Sequence, residues 1–124
     1  MSFFAGVAFE RFLQRFLTKQ LRAQGVLPAG KRITMSSVGG EEVDLFCDEP
    51  LLVGEVTAHA ETQEEVDKLL KKVRRVEEVY GKPVQIKMLI ALTAERKIAR
   101  RLRKRCEEEG INLVLGRTVQ KGLG

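Results

Sequence analysis

Three carboxylates and a hydroxyl carry the chemistry that this sequence offers. Glu42 and Asp44 lie in the segment EEVDLFCD (41–48), Glu55 and Thr57 in the segment LLVGEVTA (51–58). The first segment alternates as a strand does, the second is apolar and strand-like, and Glu49-Pro50 between them is a turn signal. A two-residue loop there sets Asp48 against Leu51. Counting back along the ladder sets Asp44 against Glu55 and Glu42 against Thr57. Side chains on a strand alternate between faces, which places these four on one face and Val43, Leu45, Cys47, Leu52, Gly54 and Val56 on the other. Like charges directly opposed destabilise a hairpin. A hard divalent cation between them reverses the sign, since Mg²⁺ is held by one or two carboxylates together with water and phosphate. Such an ion activates water and neutralises charge on a scissile phosphate. The same pattern also describes an acidic strand exposed to solvent, and spacing alone does not separate the two readings.

The elements that must position these residues follow from periodicity. Residues 3–24 read as a helix with Phe9, Phe12, Leu13, Phe16 and Leu17 on one apolar face and Arg11, Arg15, Lys19 and Arg22 opposite. Glu10 falls at the edge of the apolar stripe, and Gly25 and Pro28 end the helix. Residues 31–38 read as a first strand closed by Gly39-Gly40. Thr62 with Glu65 is a capping box opening a second helix, whose apolar face is Val66, Leu69, Leu70, Val73, Val76 and Tyr80 and whose stop is Gly81. The apolar run 83–92 is a strand of the sheet interior. Thr93 is expected to cap a third helix with a stripe of Ile98, Leu102 and Cys106, Gly110 to end it, and 111–115 to form a last strand. The expectation is one α/β domain over 1–116, in the order α-β-β-β-α-β-α-β around a mixed central sheet. A turn-like tail, 117–124, follows.

Composition narrows the classes. The 124 residues are 44% hydrophobic and 31% charged, with net charge +5, a soluble globular composition with room for one core. Residues 1–40 carry six basic and one acidic side chain, 41–81 five and twelve, and 82–124 eleven and four. An acidic centre between basic flanks suits a polyanion over a metal site, and it equally describes solvated helix faces. Abundant Lys, Arg and Glu with few Pro is compatible with a thermophile. Glu10 and Arg11 interrupt the run MSFFAGVAFER, which therefore reads as neither signal peptide nor membrane span. The chain reads as cytoplasmic, without a membrane partner. Cys47 and Cys106 form no CxxC pair, and His59 is the one histidine, too few ligands for zinc. Two reduced, buried thiols are expected.

On these residues the chain resembles the PD-(D/E)XK, or restriction-endonuclease-like, nuclease superfamily, nearest to small archaeal Holliday-junction-resolvase-like proteins. FERFLQRFLTKQLRAQG is similar to their first helix and GGEEVDLFCDEPLLVGEVTA to their metal-binding hairpin, within a likeness that covers roughly residues 8–92. The resemblance implies an α-β-β-β-α-β core. It implies Asp44 and Glu55 as ligands of Mg²⁺ or Mn²⁺, with Val43 where Pro often stands, and Glu10 as the helix acid completing the site. It also implies DNA as partner, hydrolysis by metal-activated water, and a homodimer. Thr57 stands where the superfamily has Lys, and a Thr hydroxyl carries no charge. Lys31, Lys68 and Lys71 are candidates to replace it.

Other residues have plainer readings beside functional ones. His59 reads as a loop-end residue and Gln63 as a solvated first-turn side chain. Arg32, Lys68, Lys71, Arg100, Arg101 and Lys104 are candidate phosphate contacts, although a basic helix face is ordinarily just solvated. Two function classes besides nuclease remain open: a relative that binds nucleic acid or protein without cleaving, and a dimeric scaffold or regulatory protein.

Overall fold

The computed structural model describes residues 3–119, with side chains from residue 8 to residue 118. The elements are α1 (Phe3–Ala23), β1 (Thr34–Val38), β2 (Glu41–Asp48), β3 (Leu51–Ala60), α2 (Glu64–Tyr80), β4 (Ile86–Glu95), α3 (Arg96–Glu109) and β5 (Asn112–Val119), in the order expected. The sheet has five strands, ordered β1-β2-β3-β4-β5. Strands β1, β2 and β3 pair antiparallel, whereas β3, β4 and β5 pair parallel. Two successive parallel crossovers in one direction, each of the usual hand, place α2 and α3 on the same face and leave the other face to α1.

Each face buries its own cluster. Under α2 and α3 lie Val43, Phe46, Leu51, Val53, Leu89 and Ala91, packed on Val66, Leu69, Val73, Val76, Ala99, Leu102 and Cys106. Under α1 lie Leu45, Cys47, Leu52, Met88 and Ile90, packed on Leu13, Leu17, Leu27 and Ile33. The β2–β3 hairpin is therefore covered on both sides, a correction to the expectation of one apolar and one acidic face. A sheet with helices on both faces needs apolar side chains at successive positions; Asp44 and Glu55 lie in mid-strand, partly buried, where that apolar run is interrupted.

The apolar stripe of α1 is rotated from the expected one. Leu13 and Leu17 are buried, and Phe9 and Leu21 pack partly against them. Phe12 and Phe16 are 56% and 47% exposed and stack on each other with centroids 6.0 Å apart. The side chains of residues 1–7 lie outside the described residues, as does the tail from 120 onward.

Several boundaries also differ. Strand β5 continues through Gly116 to Val119, because parallel pairing with β4 extends to Glu95↔Val119. The expected domain edge at 116 thus lies within a strand. A Cβ on Gly116 would stand 2.6 Å from the Leu92 carbonyl oxygen, so the close approach itself requires glycine. Thr93 belongs to β4 and does not cap α3, whose N-cap is Glu95. Thr62 accepts from the Glu64 N–H at 3.2 Å while Glu65 pairs with Lys68, so the reciprocal capping box does not form. Gly81 and Gly110 close α2 and α3 in the left-handed conformation as expected. Both cysteines are free and buried, one in each cluster. Burial pushes the Cys106 thiol up to about 11.

Candidate active site

The hairpin ladder runs Asp48↔Leu51, Cys47↔Leu52, Phe46↔Val53 and Leu45↔Gly54, the register that a two-residue turn dictates. It continues one step further through side chains. The Val56 N–H donates to Asp44 Oδ2 at 3.0 Å, and the Asp44 N–H donates to Glu55 Oε2 at 3.5 Å. The two carboxylates are thus tied reciprocally to each other's strands.

A bulge in β2 makes this possible. Between Thr34↔Phe46 and Ser36↔Val43, two steps along β1 match three along β2. The extra residue falls at Asp44–Leu45. It sends Val43 and Phe46 to the α2 face and Leu45 and Cys47 to the α1 face, and it re-aims Asp44, as bulges beside functional sites do. Gly54 completes the fit. A Cβ there would sit 3.0 Å from both Cβ and Cδ1 of Leu45, so glycine lets β2 and β3 close just before Glu55.

Both helices reach the pair. From α1, the Gln14 side-chain amide donates to the Asp44 carbonyl at 3.3 Å. Glu10, one turn earlier, has its carboxyl raised above the usual range, first by burial and then by the charges of Asp44 and Glu42. From α2, Lys72 Nζ lies 2.7 Å from Glu55 Oε1 and also donates to the Glu42 carbonyl. The Lys72 and Glu55 side chains are only 19% and 15% exposed. Burial drives the Glu55 carboxyl up to about 7, the Asp44 charge adds to that rise, and the Lys72 hydrogen bond opposes it.

Lys72 is therefore the lysine beside Glu55, and none of the three expected candidates is. Lys31 pairs with Asp48 at the turn end of the hairpin, Lys68 with Glu65, and Lys71 with Glu41. A signal was present in the sequence. At 100° per residue Lys72 falls about 40° from Val76, at the margin of the buried stripe of α2. Thr57 does not take the role either, since its hydroxyl donates to the His59 carbonyl at 3.4 Å. His59 lies within β3, where its Nδ1 is 2.7 Å from the Thr93 hydroxyl; it is not a loop-end residue. Gln63 is the N-cap residue of α2 and makes no capping hydrogen bond with its side chain.

The expected phosphate contacts lie on three parts of the fold. Arg32 lies beside α1, Lys68 and Lys71 on α2, and the exposed Arg100, Arg101 and Lys104 on α3. Compared with models of protein families, with curated proteins and with solved structures, the chain matches none.

Among the described residues, no three side chains of the His, Cys, Asp and Glu types come together as a self-sufficient metal-binding group. Glu10 feels the charge of Asp44 without completing such a set. Two carboxylates, each with an oxygen not committed to a short bond, fit a hard cation that takes its remaining ligands from water and phosphate. They do not fit a cation enclosed by protein.

Proposed function

We propose that this protein is a metal-dependent, restriction-endonuclease-like domain that hydrolyses DNA phosphodiester bonds in the cytoplasm. One observation carries the reading: Asp44 and Glu55 are interlocked across a hairpin, with a lysine delivered to Glu55 from a neighbouring helix. The resemblance of the hairpin and first helix to the PD-(D/E)XK superfamily supports it, and Lys72 supplies the charge that Thr57 lacks.

Asp44 and Glu55 would hold Mg²⁺ or Mn²⁺, which when bound supplies an activated water and neutralises phosphate charge. Lys72 keeps Glu55 oriented and places positive charge where the phosphate develops negative charge. Glu10, its carboxyl raised above the usual range first by burial and then by the charges of Asp44 and Glu42, stands at the margin of the site. The bulge and Gly54 fix the carboxylates on strands, which position groups better than loops do.

The test is cleavage of plasmid, single-stranded and four-way-junction DNA in Mg²⁺ and in Mn²⁺. Activity lost in Asp44→Ala, Glu55→Ala and Lys72→Ala supports the assignment; activity retained in the first two overturns it. A second reading, nucleic-acid binding without cleavage, is favoured by the absence of a third ligating side chain among the described residues. Salt-dependent binding without turnover identifies it. A homodimer forms part of the leading reading, and sedimentation of the intact chain tests it.

A further inference from the structure

A second charged feature lies apart from the two acids. Between α1 and the chain entering β1 runs a cleft of about 700 Å³, bordered by Arg11, Arg15, Lys19, Arg22 and Arg32 with no carboxylate along it. Its floor is built and already satisfied. The buried Thr18 hydroxyl accepts from the Ile33 N–H at 2.9 Å and donates to the Gln14 carbonyl at 2.6 Å, which clamps helix to strand. Arg22 is held in place, its Nε and one terminal nitrogen both donating to the Lys31 carbonyl. Arg11, Arg15, Lys19 and Arg32 are exposed and enter no ion pair among the described residues. Like charges gathered along one cleft without acids repel, and a polyanion in the cleft relieves that repulsion.

We infer that this cleft is the track for the sugar-phosphate backbone of one nucleic-acid strand, leading it to Asp44 and Glu55. Arg11, Arg15 and Lys19 repeat every four residues, about 6 Å along the helix axis, comparable to the step between successive phosphates of a strand. Gln14, between Arg11 and Arg15 in the row, borders the cleft and also donates to the Asp44 backbone carbonyl, so the cationic row passes beside the strand that carries Asp44. A single row against a strand edge serves one backbone. An extended acidic peptide is the competing occupant, and polyglutamate in the experiment separates it from a sugar-phosphate backbone. The inference rests on the nuclease reading for what lies at the end of the track, and backbone binding is measurable without it.

The experiment measures fluorescence anisotropy of a labelled oligothymidylate on the intact chain in EDTA, titrated with salt. The triple variant Arg15→Ala/Lys19→Ala/Arg32→Ala is expected to weaken binding at least tenfold. It should also lower the slope of log K against log salt by about 2, for three lost single-strand phosphate contacts. The triple variant Arg100→Ala/Arg101→Ala/Lys104→Ala on α3, across the sheet, is expected to change affinity less than threefold. An α3 loss equal to or larger than the cleft loss overturns the inference, as does equal competition by polyglutamate at matched charge. Circular dichroism of both variants confirms the fold, and Arg15→Lys/Arg32→Lys should retain most of the affinity. Binding in EDTA is read on the parent chain without cleavage, whereas the nuclease reading is tested by cleavage in Mg²⁺ or Mn²⁺, so the two failures are distinguishable.

Discussion

Lys72 and Glu55 meet at 2.7 Å although they belong to different elements, one to helix α2 and the other to strand β3, in the part of the sheet where the hairpin ladder gives way to side-chain bonds. Helix and strand are connected through a short link after Ala60, and burial of Val66, Leu69, Val73 and Val76 fixes how the helix lies on the sheet. That packing turns a residue at the stripe margin toward the carboxylate.

Lys72→Ala removes the one cation bonded to a mostly buried carboxylate. Stability should fall by about 2 kcal/mol at pH 8, as for a lost hydrogen bond to a charged group. The loss should be smaller at pH 5, where Glu55 is already protonated. The Glu55 titration midpoint should move above 7, because Lys72 holds it down. Urea denaturation at the two pH values and carboxyl NMR titration measure these effects. Equal losses at both pH values would falsify the pairing.

The pH dependence of the parent protein follows from Glu55. Its carboxyl titrates at about 7 in the folded chain against 4.5 for the ordinary group. Between these values the folded state binds more protons than the unfolded one. Stability from this group is therefore complete below about pH 4.5, falls as pH rises to about 7, and levels off above. The span is on the order of 3 kcal/mol at 1.36 kcal/mol per unit. In chelator, Glu55→Gln should show a flatter pH–stability profile than the parent protein.

Divalent cation should reverse part of that loss. Mg²⁺ or Mn²⁺ at 100 times its Kd stabilises by about 2.7 kcal/mol if it binds only the folded state. At pH 8 the melting temperature should rise with millimolar cation and return in EDTA. Asp44→Asn and Glu55→Gln should each abolish the rise; Asp48→Asn, at the far end of the hairpin, should not.

Gly54→Ala inserts a Cβ 3.0 Å from Leu45 and 3.3 Å from Met88 Cβ. The crowding is expected to cost about 1–2 kcal/mol, overpacking partly offset by reduced freedom of the unfolded chain. Cleavage should drop by more than the stability loss explains, since Glu55 is the next residue. Gly54→Ala/Leu45→Ala should recover part of that activity.

Both thiols should resist a disulfide-exchange reagent in the native protein and react on unfolding. Cys47 and Cys106 are buried, and the Cys106 thiol is raised to about 11. Rapid labelling of either in native buffer contradicts the packing described above.

Local pattern was enough for much of the molecule. The eight elements, the Glu49-Pro50 turn, the register that opposes Asp44 and Glu55, and the glycine stops after α2 and α3 all follow from neighbours within a few residues. Hydrogen-bond geometry and backbone conformation act at that range. Only tertiary packing decided the rest. The bulge at Asp44–Leu45 exists because β2 must satisfy β1 and β3 at once, and no property of EEVDLFCD alone announces it. The exposure of Phe12 and Phe16 depends on how α1 rolls on the sheet. The extension of β5 depends on β4 offering it a parallel partner. Lys72 reaches Glu55 because side chains distant in sequence converge when helices pack on sheets. A helical wheel shows which side of α2 is buried; which carboxylate it is buried against is set by the fold.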